Sequence, residues 1–427
     1  MSVLPAQLEE STARPMPATV RAEELLRTDL VLEAALAHVR RSPASLPKVL
    51  AWRLRGRDHL GTELARGGAL QPASLPMREE LLERVQAARG EGREVSLTGA
   101  APRALLEKVA AHFGLAVAGN VAPTGAETLL PAASGEGSKA RAWARALRPH
   151  QWVKNALVLL PPLLAHAAAE GVWLRAGLAF VAFCLCASSV YLLNDLLDLQ
   201  SDRAHARKRR RPFASGALPL GAGLLAAPVL LTASFALALW LLPAFAAVLG
   251  AYYAVTLAYS LVLKRVALLD VLLLAGLYTV RIIGGGVAAG VVVSEWLLGF
   301  SLFLFTSLAF VKRYSEVHAL RRAGRDEAHG RGYRASDLEM LQSLGPAAGY
   351  MAVLVFALYV SSDAVTRLYT HPERLWALVP LLLYWVSRVW LIAHRGNMHD
   401  DPIVFAIRDR ASYGVLALAA ACVGWAI

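Results

Sequence analysis

From residue 152 to its end, the chain is a succession of long apolar segments separated by short polar loops. A helix needs about 20 mostly apolar residues to cross the bilayer hydrocarbon, and few soluble folds tolerate such runs in series. Nine candidate spans are read at 153–169, 173–194, 218–240, 243–262, 267–291, 295–311, 346–362, 374–393 and 411–427. The first is short and is interrupted by Pro161 and Pro162. Residues 1–145 have ordinary polarity, with many Glu, Arg and Pro. The whole chain is 56% hydrophobic with a mean hydropathy of +0.45. The expectation is an all-α integral membrane bundle of about nine helices, preceded by a small α/β region.

The net charge of +12 would suit nucleic acid, but its placement argues for topology instead. Loops after the even-numbered spans carry Arg203, Arg207, Lys208, Arg209, Arg210, Arg211, Lys264, Arg265, Lys312, Arg313, Arg321, Arg322, Arg325, Arg331, Arg334, Arg395, Arg408 and Arg410. The opposite loops carry only Arg175, Arg367 and Arg374, so eighteen cations face three. Basic loops stay cytosolic. This places the N-terminal region and the even loops inside, the C-terminus outside, and the protein in the cell (inner) membrane, with no nucleic-acid partner implied. The start, MSVLPAQLEESTARP, has neither an apolar core nor a basic lead and is not read as a signal peptide. Cys184, Cys186 and Cys422 lie in apolar runs and imply no disulfide framework.

The second span ends in NDLLDLQSD, residues 194–202. On a continuous helix Asp195, Asp198 and Asp202, spaced i, i+3, i+7, share one face, with Asn194 beside them. Such a face offers oxygen ligands to Mg²⁺, which binds through a few carboxylates plus substrate phosphate. The plainer alternative is a set of helix-end charges marking the interface. The active site is therefore expected at the cytosolic mouth, where the lipid bilayer meets water.

These residues, with RPFASG from Arg211 onward, resemble the UbiA superfamily of intramembrane prenyltransferases over about residues 145–427. The resemblance implies a nine-helix fold. It also implies that Asn194, Asp195, Asp198 and Asp202 bind Mg²⁺ and a donor diphosphate. LRPHQWVKN (147–155), YSLVLKRVALLDVL (259–272) and DDPIVFAIRDRAS (400–412) are similar to the polyprenyl-phosphate phosphoribosyltransferases of the decaprenyl-phosphate type. Aromatic prenyltransferases carry a second aspartate-rich motif after span 6. Here that loop reads KRYSEVHALRRAGRDEAHGRGYR, with Glu316, Asp326 and Glu327 its only acids. One acidic and one basic wall suit a Mg²⁺-diphosphate donor and an anionic lipid acceptor.

Lys154, at the mouth of span 1, is read as a phosphate-neutralising catalytic cation beside Asp195, Asp198 and Asp202, against the alternative of a snorkelling interface lysine. Arg148, Gln151, Asn155 and Arg211 are candidate substrate contacts within the matching motifs. Asp270 and Arg281 are eleven residues apart on one helix face, too far to pair directly. An intramembrane arginine is a functional candidate by default, with an internal ion pair as the alternative. Gly284, Gly285 and Gly286 point to close helix packing or a kink. Tyr259, Lys264, Lys312, Arg313 and Tyr333 are candidate phosphate contacts. Asp401 and the arginines at 408 and 410 are candidates to close the rim.

In the N-terminal region REELLERVQAAR, REVSL and PRALLEKVAAHFGL read as helix, strand, helix. With VRAEELLRTDLV upstream, this stretch resembles a haloacid dehalogenase-like phosphatase. Thr98 matches that family's second motif, while Val20 and Ala22 occupy the positions of its nucleophile and acid. Without carboxylates there, a phosphatase of this type has neither nucleophile nor metal ligands. The organisation expected is a disordered 1–15, a degenerate cytosolic region at 16–130, a Gly/Ser-rich linker at 131–144 and the membrane transferase at 145–427.

Three functions are carried forward. One is Mg²⁺-dependent transfer of a 5-phosphoribosyl group from its diphosphate to a polyprenyl phosphate. The second is transfer of a polyprenyl group from its diphosphate to an aromatic or lipid acceptor. The third is a transporter or lipid-binding scaffold, disfavoured because polar groups cluster at one membrane face rather than reaching the midplane. The partners implied are an isoprenoid lipid, a diphosphate-bearing donor and the bilayer. The oligomeric state is unspecified.

Overall fold

The structure is a computed structural model that describes residues 16–118, 126–131, 138–326, 332–398 and 401–427. Residues 1–15, most of the Gly/Ser-rich stretch, Glu327, Arg331 and Asp400 lie outside the described residues. The chain divides into two compact units: Met1–Leu147 with Tyr191–Ala227, and Arg148–Val190 with Pro228–Ile427.

The first unit holds a parallel four-stranded sheet in the order β3-β2-β1-β4. Its strands are β1 (Ala18–Arg21), β2 (Val95–Thr98), β3 (Ala116–Val117) and β4 (Glu127–Leu129). Ala18 pairs with Val95 and with Glu127, so β1 is flanked on both sides. Parallel strands need long crossovers, which the helices between them supply. Val20, Leu25, Leu81, Leu97 and Leu105 are fully buried and form the core of this sheet and its helices. The Leu30–Arg41 helix begins at Asp29, whose carboxylate accepts the N–H groups of Val31 and Leu32, both at 2.9 Å. Those two donors have no partner within the helix, so the cap fixes where it starts. The end of the expected linker is not extended: Lys139–Leu147 is helical.

In the membrane region seven helices are long and apolar enough to cross a bilayer: Glu170–Leu197, Leu220–Leu241, Pro243–Leu261, Leu269–Ala289, Glu295–Arg322, Ala335–Val360 and Pro372–His394. The ninth expected span is present as a shorter apolar helix, Arg410–Ala426. The first is not one α-helix. It is a 3₁₀ helix, Pro149–Leu159, running into a short α-helix, Leu160–Leu164. Pro161 and Pro162 have no N–H to return to the preceding turn, which removes the bonds that would propagate an α-helix through Leu157 and Val158.

That segment lies against the Leu269–Ala289 helix. A methyl group at Gly285 would stand 2.0 Å from the Val158 carbonyl oxygen, so only glycine admits this approach. Close packing of small residues is expected where apolar lipid gives helices no hydrophobic drive to associate. Many large apolar side chains point outward, including Leu225, Leu239 and Trp240, the last 75% exposed. On a water-soluble protein such a belt would drive aggregation; in a bilayer it faces acyl chains. Cys184, Cys186 and Cys422 are all free.

Candidate functional site

The first unit holds the acidic motif. The helix carrying Asn194 and Asp195 ends at Leu197, and Asp198 is a turn residue before a short helix, Leu199–Arg203. The uninterrupted helical face expected for the three aspartates is thus broken at Asp198. Asp195 and Asp202 nevertheless converge, because one nitrogen of Arg211, Nη1, lies 3.1 Å from Asp195 Oδ1 and 2.6 Å from Asp202 Oδ2. Both carboxylates are nearly fully buried, at 2% and 1% exposure. Asp198 turns elsewhere, and its Oδ1 is 2.9 Å from Arg40 Nη2. Burial pushes the Asp202 carboxyl above its ordinary range; Arg211 opposes this and the neighbouring Asp195 charge adds to it.

Among the described residues no group of three or more His, Cys, Asp or Glu is gathered as a ready metal cage. The donors still fit a hard cation in one respect. Two carboxylates already share a single positive centre, and Mg²⁺ is commonly held by one or two carboxylates with substrate phosphate completing its shell. Asp195 and Asp202 are the pair that would hold it. Arg211 must yield the Asp195 and Asp202 oxygens to the metal, just as Arg40 must yield Asp198 for it to join.

The second unit holds a basic cluster. Lys154 Nζ and Lys312 Nζ lie 2.8 and 3.1 Å from the same oxygen, Oδ2 of Asp401. Asp401 also caps the Pro402–Arg408 helix, accepting the N–H of Ile403 at 3.3 Å. Burial pushes the Asp401 carboxyl up, but the Lys312 and Lys154 ammoniums together overcome this and hold it well below the usual carboxylate range. Two ammoniums on one carboxylate leave a net positive charge, which can receive a further anion. Lys154 and Lys312 were separate candidates in the sequence, and Asp401 was only a rim residue. Their meeting was not legible, since 247 positions separate Lys154 from Asp401.

Deeper in the same unit, Arg281 is 6% exposed. Its Nε donates to Asn155 Oδ1 and its Nη2 to Tyr252 Oη, both at 2.8 Å. Its guanidinium carbon lies 4.8 Å from the Tyr252 ring centre and 5.4 Å from that of Tyr278. The internal ion pair considered for Arg281 is therefore replaced, among the described residues, by neutral hydrogen-bond acceptors and aromatic faces, a cage that lets the cation stay charged. Asn155 in turn donates to Cys184 Sγ at 3.3 Å.

Arg313, Asp270 and Tyr333 are given to one another. Arg313 Nε is 2.5 Å from Asp270 Oδ2, its Nη2 donates to Tyr259 Oη at 3.1 Å, and Tyr333 Oη donates to Asp270 Oδ1 at 2.6 Å. Arg313 and Tyr333 are each only 1% exposed. Tyr333 also accepts the N–H of Leu268 at 2.9 Å, where Leu268 adopts a φ of 65° that branched-chain residues avoid. The phosphate-contact reading of Arg313 and Tyr333 thus gives way to an internal network that shapes the loop before the Leu269–Ala289 helix. Gln151 lies on the 3₁₀ helix, Arg148 just before it at a φ of 54°, and Lys264 on the short 3₁₀ turn Leu263–Arg265.

Seven helices of membrane-spanning length, one of them ending in a buried acidic motif, define an integral membrane protein. Residues 157–413 match the UbiA prenyltransferase family, and the chain belongs to that family. It is a multi-pass membrane protein. The protein y4nM of Sinorhizobium fredii is 34% identical over 93% of this chain and 88% of its own length. That match necessarily runs through the N-terminal region as well. A decaprenyl-phosphate phosphoribosyltransferase of Mycolicibacterium smegmatis is 34% identical over 62% of this chain and 86% of its own. Among solved structures, a UbiA homologue from Archaeoglobus fulgidus bound to GPP and Mg²⁺ shares the fold, with a TM-score of 0.50 at 17% identity. That likeness covers 66% of this chain and 99% of the other.

Proposed function

We propose that this protein transfers a 5-phosphoribosyl group from phosphoribosyl diphosphate to a polyprenyl phosphate, with Mg²⁺ as cofactor. The observation that carries the acceptor class is the Lys154–Asp401–Lys312 cluster, whose surplus positive charge suits a lipid phosphate better than a neutral ring. The similarity to a decaprenyl-phosphate phosphoribosyltransferase supports the same choice. A bound Mg²⁺ would neutralise the leaving diphosphate. Asp195 and Asp202 would hold it, with Asn194 and Asp198 close by in the chain. As the bond from the anomeric carbon to the diphosphate oxygen breaks, an acceptor phosphate oxygen forms the new bond. Asp401 keeps the two lysine ammoniums together so that they orient that phosphate. A reaction carried out within the membrane is kept from competing water. The second reading, prenyl transfer from a prenyl diphosphate, is supported by the ligands of the Archaeoglobus fulgidus homologue.

We place the acidic motif and the N-terminal region on the cytosolic side of the inner membrane. We also infer that the N-terminal region is not a phosphatase. Val20 and Ala22 offer no carboxylate, and Glu23 Oε1 already accepts the Ala100 N–H at 2.6 Å, beside the strand end carrying Thr98.

The test is an assay of purified protein with Mg²⁺, offering phosphoribosyl diphosphate and several prenyl diphosphates in parallel, with polyprenyl phosphate or polyprenol as acceptor. Product is expected only from phosphoribosyl diphosphate with the phosphate-bearing lipid. Asp195→Asn and Asp202→Asn should each lower turnover by about a hundredfold or more. Equal use of polyprenol would sink the acceptor assignment, and full activity in both variants would sink the metal assignment.

A further inference from the structure

The face of the Leu30–Arg41 helix that carries Glu33 and Arg40, seven residues apart, meets the acidic motif at Asp198 and the residue just after it, Arg203. Glu33 clasps Arg203 with two hydrogen bonds of 2.6 and 3.0 Å, and Thr28 Oγ1 donates to the same carboxylate at 2.9 Å. Arg40 meets Asp198. The two contacts differ in burial. The Arg203 and Glu33 side chains are 8% and 1% exposed, whereas Arg40 and Asp198 are 26% and 23% exposed. Between them lies a cavity of about 150 Å³ lined by Glu33, Ala37, Arg40, Asp198, Gln200 and Ser201, among others. Gln200 Nε2 donates to the Ala69 carbonyl at 2.8 Å, and Gly216, at a φ of 73°, leaves no room for a side chain against Arg27. The N-terminal region is thus seated on the motif by buried contacts, and it presents one arginine to the motif through a half-open one.

We propose that Arg40 is a donor-binding residue supplied by the N-terminal region: the counter-ion of Asp198 before metal and diphosphate arrive, and a contact to the diphosphate once they are bound. The proposal rests on the metal-diphosphate reading of the motif. A carboxylate engaged by a guanidinium cannot give its full charge to a metal, so the Arg40–Asp198 contact opposes metal binding at Asp198. When the metal wins, Arg40 is released beside a site that now holds phosphate oxygens. Its planar fork is the side chain best matched to them. The buried Glu33–Arg203 clasp keeps the helix in place while the exposed pair exchanges.

Two binding measurements on the full-length protein in lipid nanodiscs, without turnover, test this. Mn²⁺ alone, followed by its electron paramagnetic resonance signal, should bind Arg40→Gln about threefold or more tighter than wild type. Inorganic diphosphate in the presence of Mn²⁺ should bind the same variant about tenfold weaker. Arg40→Lys should restore part of the diphosphate affinity, and Arg66→Gln, remote on the same region, should change neither. Opposite signs are the signature, since a folding defect weakens both. If both weaken, both stay unchanged, or diphosphate affinity is unaltered, the proposal is overturned. A wild type that turns over no donor in the assay above would defeat the functional reading alone, because these titrations use no donor.

Discussion

Asp401 holds Lys154 and Lys312 through a single oxygen, so it sets where two positive charges stand. The sign of its pH dependence follows from its lowered folded-state pKa. The stabilisation is fully present above the unfolded value of about 3.9 and is lost only as pH falls through the folded value below it. The cluster is therefore intact at any neutral assay pH, and loss of activity between pH 8 and 5 would need another group. Lys154→Gln should lower kcat/KM for the phosphate-bearing acceptor by about tenfold or more, the loss of one charge-assisted hydrogen bond. The KM for the donor should move far less. Steady-state kinetics with each substrate varied in turn separates the two, and equal effects on both would remove Lys154 from the acceptor site. At this scale the sequence was partly legible. Lys154 and Asp195 were visible as charges at the mouths of apolar spans, and Lys312 as one of several loop cations. Arg40 was not, because an arginine near the end of an amphipathic helix looks like any solvated helix end.

The elements were most legible where one period dominated. Seven spans read from length and hydropathy are helices that can cross a membrane. The first was obscured by Pro149, Pro161 and Pro162, which favour a 3₁₀ path over an α-helix. That path rises about 2.0 Å per residue against about 1.5 Å for an α-helix, so the apolar part, 153–164, extends roughly 20 Å, about two thirds of a bilayer core. Its packing depends on Gly285, and Gly276 on the same helix provides the control. A methyl group at Gly285 would collide with the Val158 backbone, whereas nothing lies within 4 Å of one at Gly276. Gly285→Ala should cost about 1–3 kcal/mol through overpacking. Gly276→Ala should be neutral or slightly stabilising, since alanine is the better helix former. Thermal unfolding of the two variants in the same detergent decides it, and equal midpoints would show that the 3₁₀ segment can move aside.

For the whole molecule, orientation follows from charge and helix order together. The turns at 198–219, 262–268, 323–334 and 395–409 hold nearly all the loop cations, while those at 290–294 and 361–371 contribute Arg367 alone. Each spanning helix reverses direction, so these two groups of turns fall on opposite sides whatever the structure of the first segment. Positively charged loops resist translocation, and this supports our proposal that the first group, and with it the acidic motif, faces the cytosol. The donor diphosphate proposed here is a charged, water-soluble species, so a motif on that face draws on the cytosolic pool without transport. Single cysteines test the assignment, starting from a chain in which Cys184, Cys186 and Cys422 are replaced by serine or alanine. A membrane-impermeant maleimide added to intact cells should label Arg367→Cys directly. It should label Arg209→Cys only after the membrane is permeabilised. The reverse pattern would put the acidic motif outside, where neither the charge distribution nor a cytosolic donor can account for it.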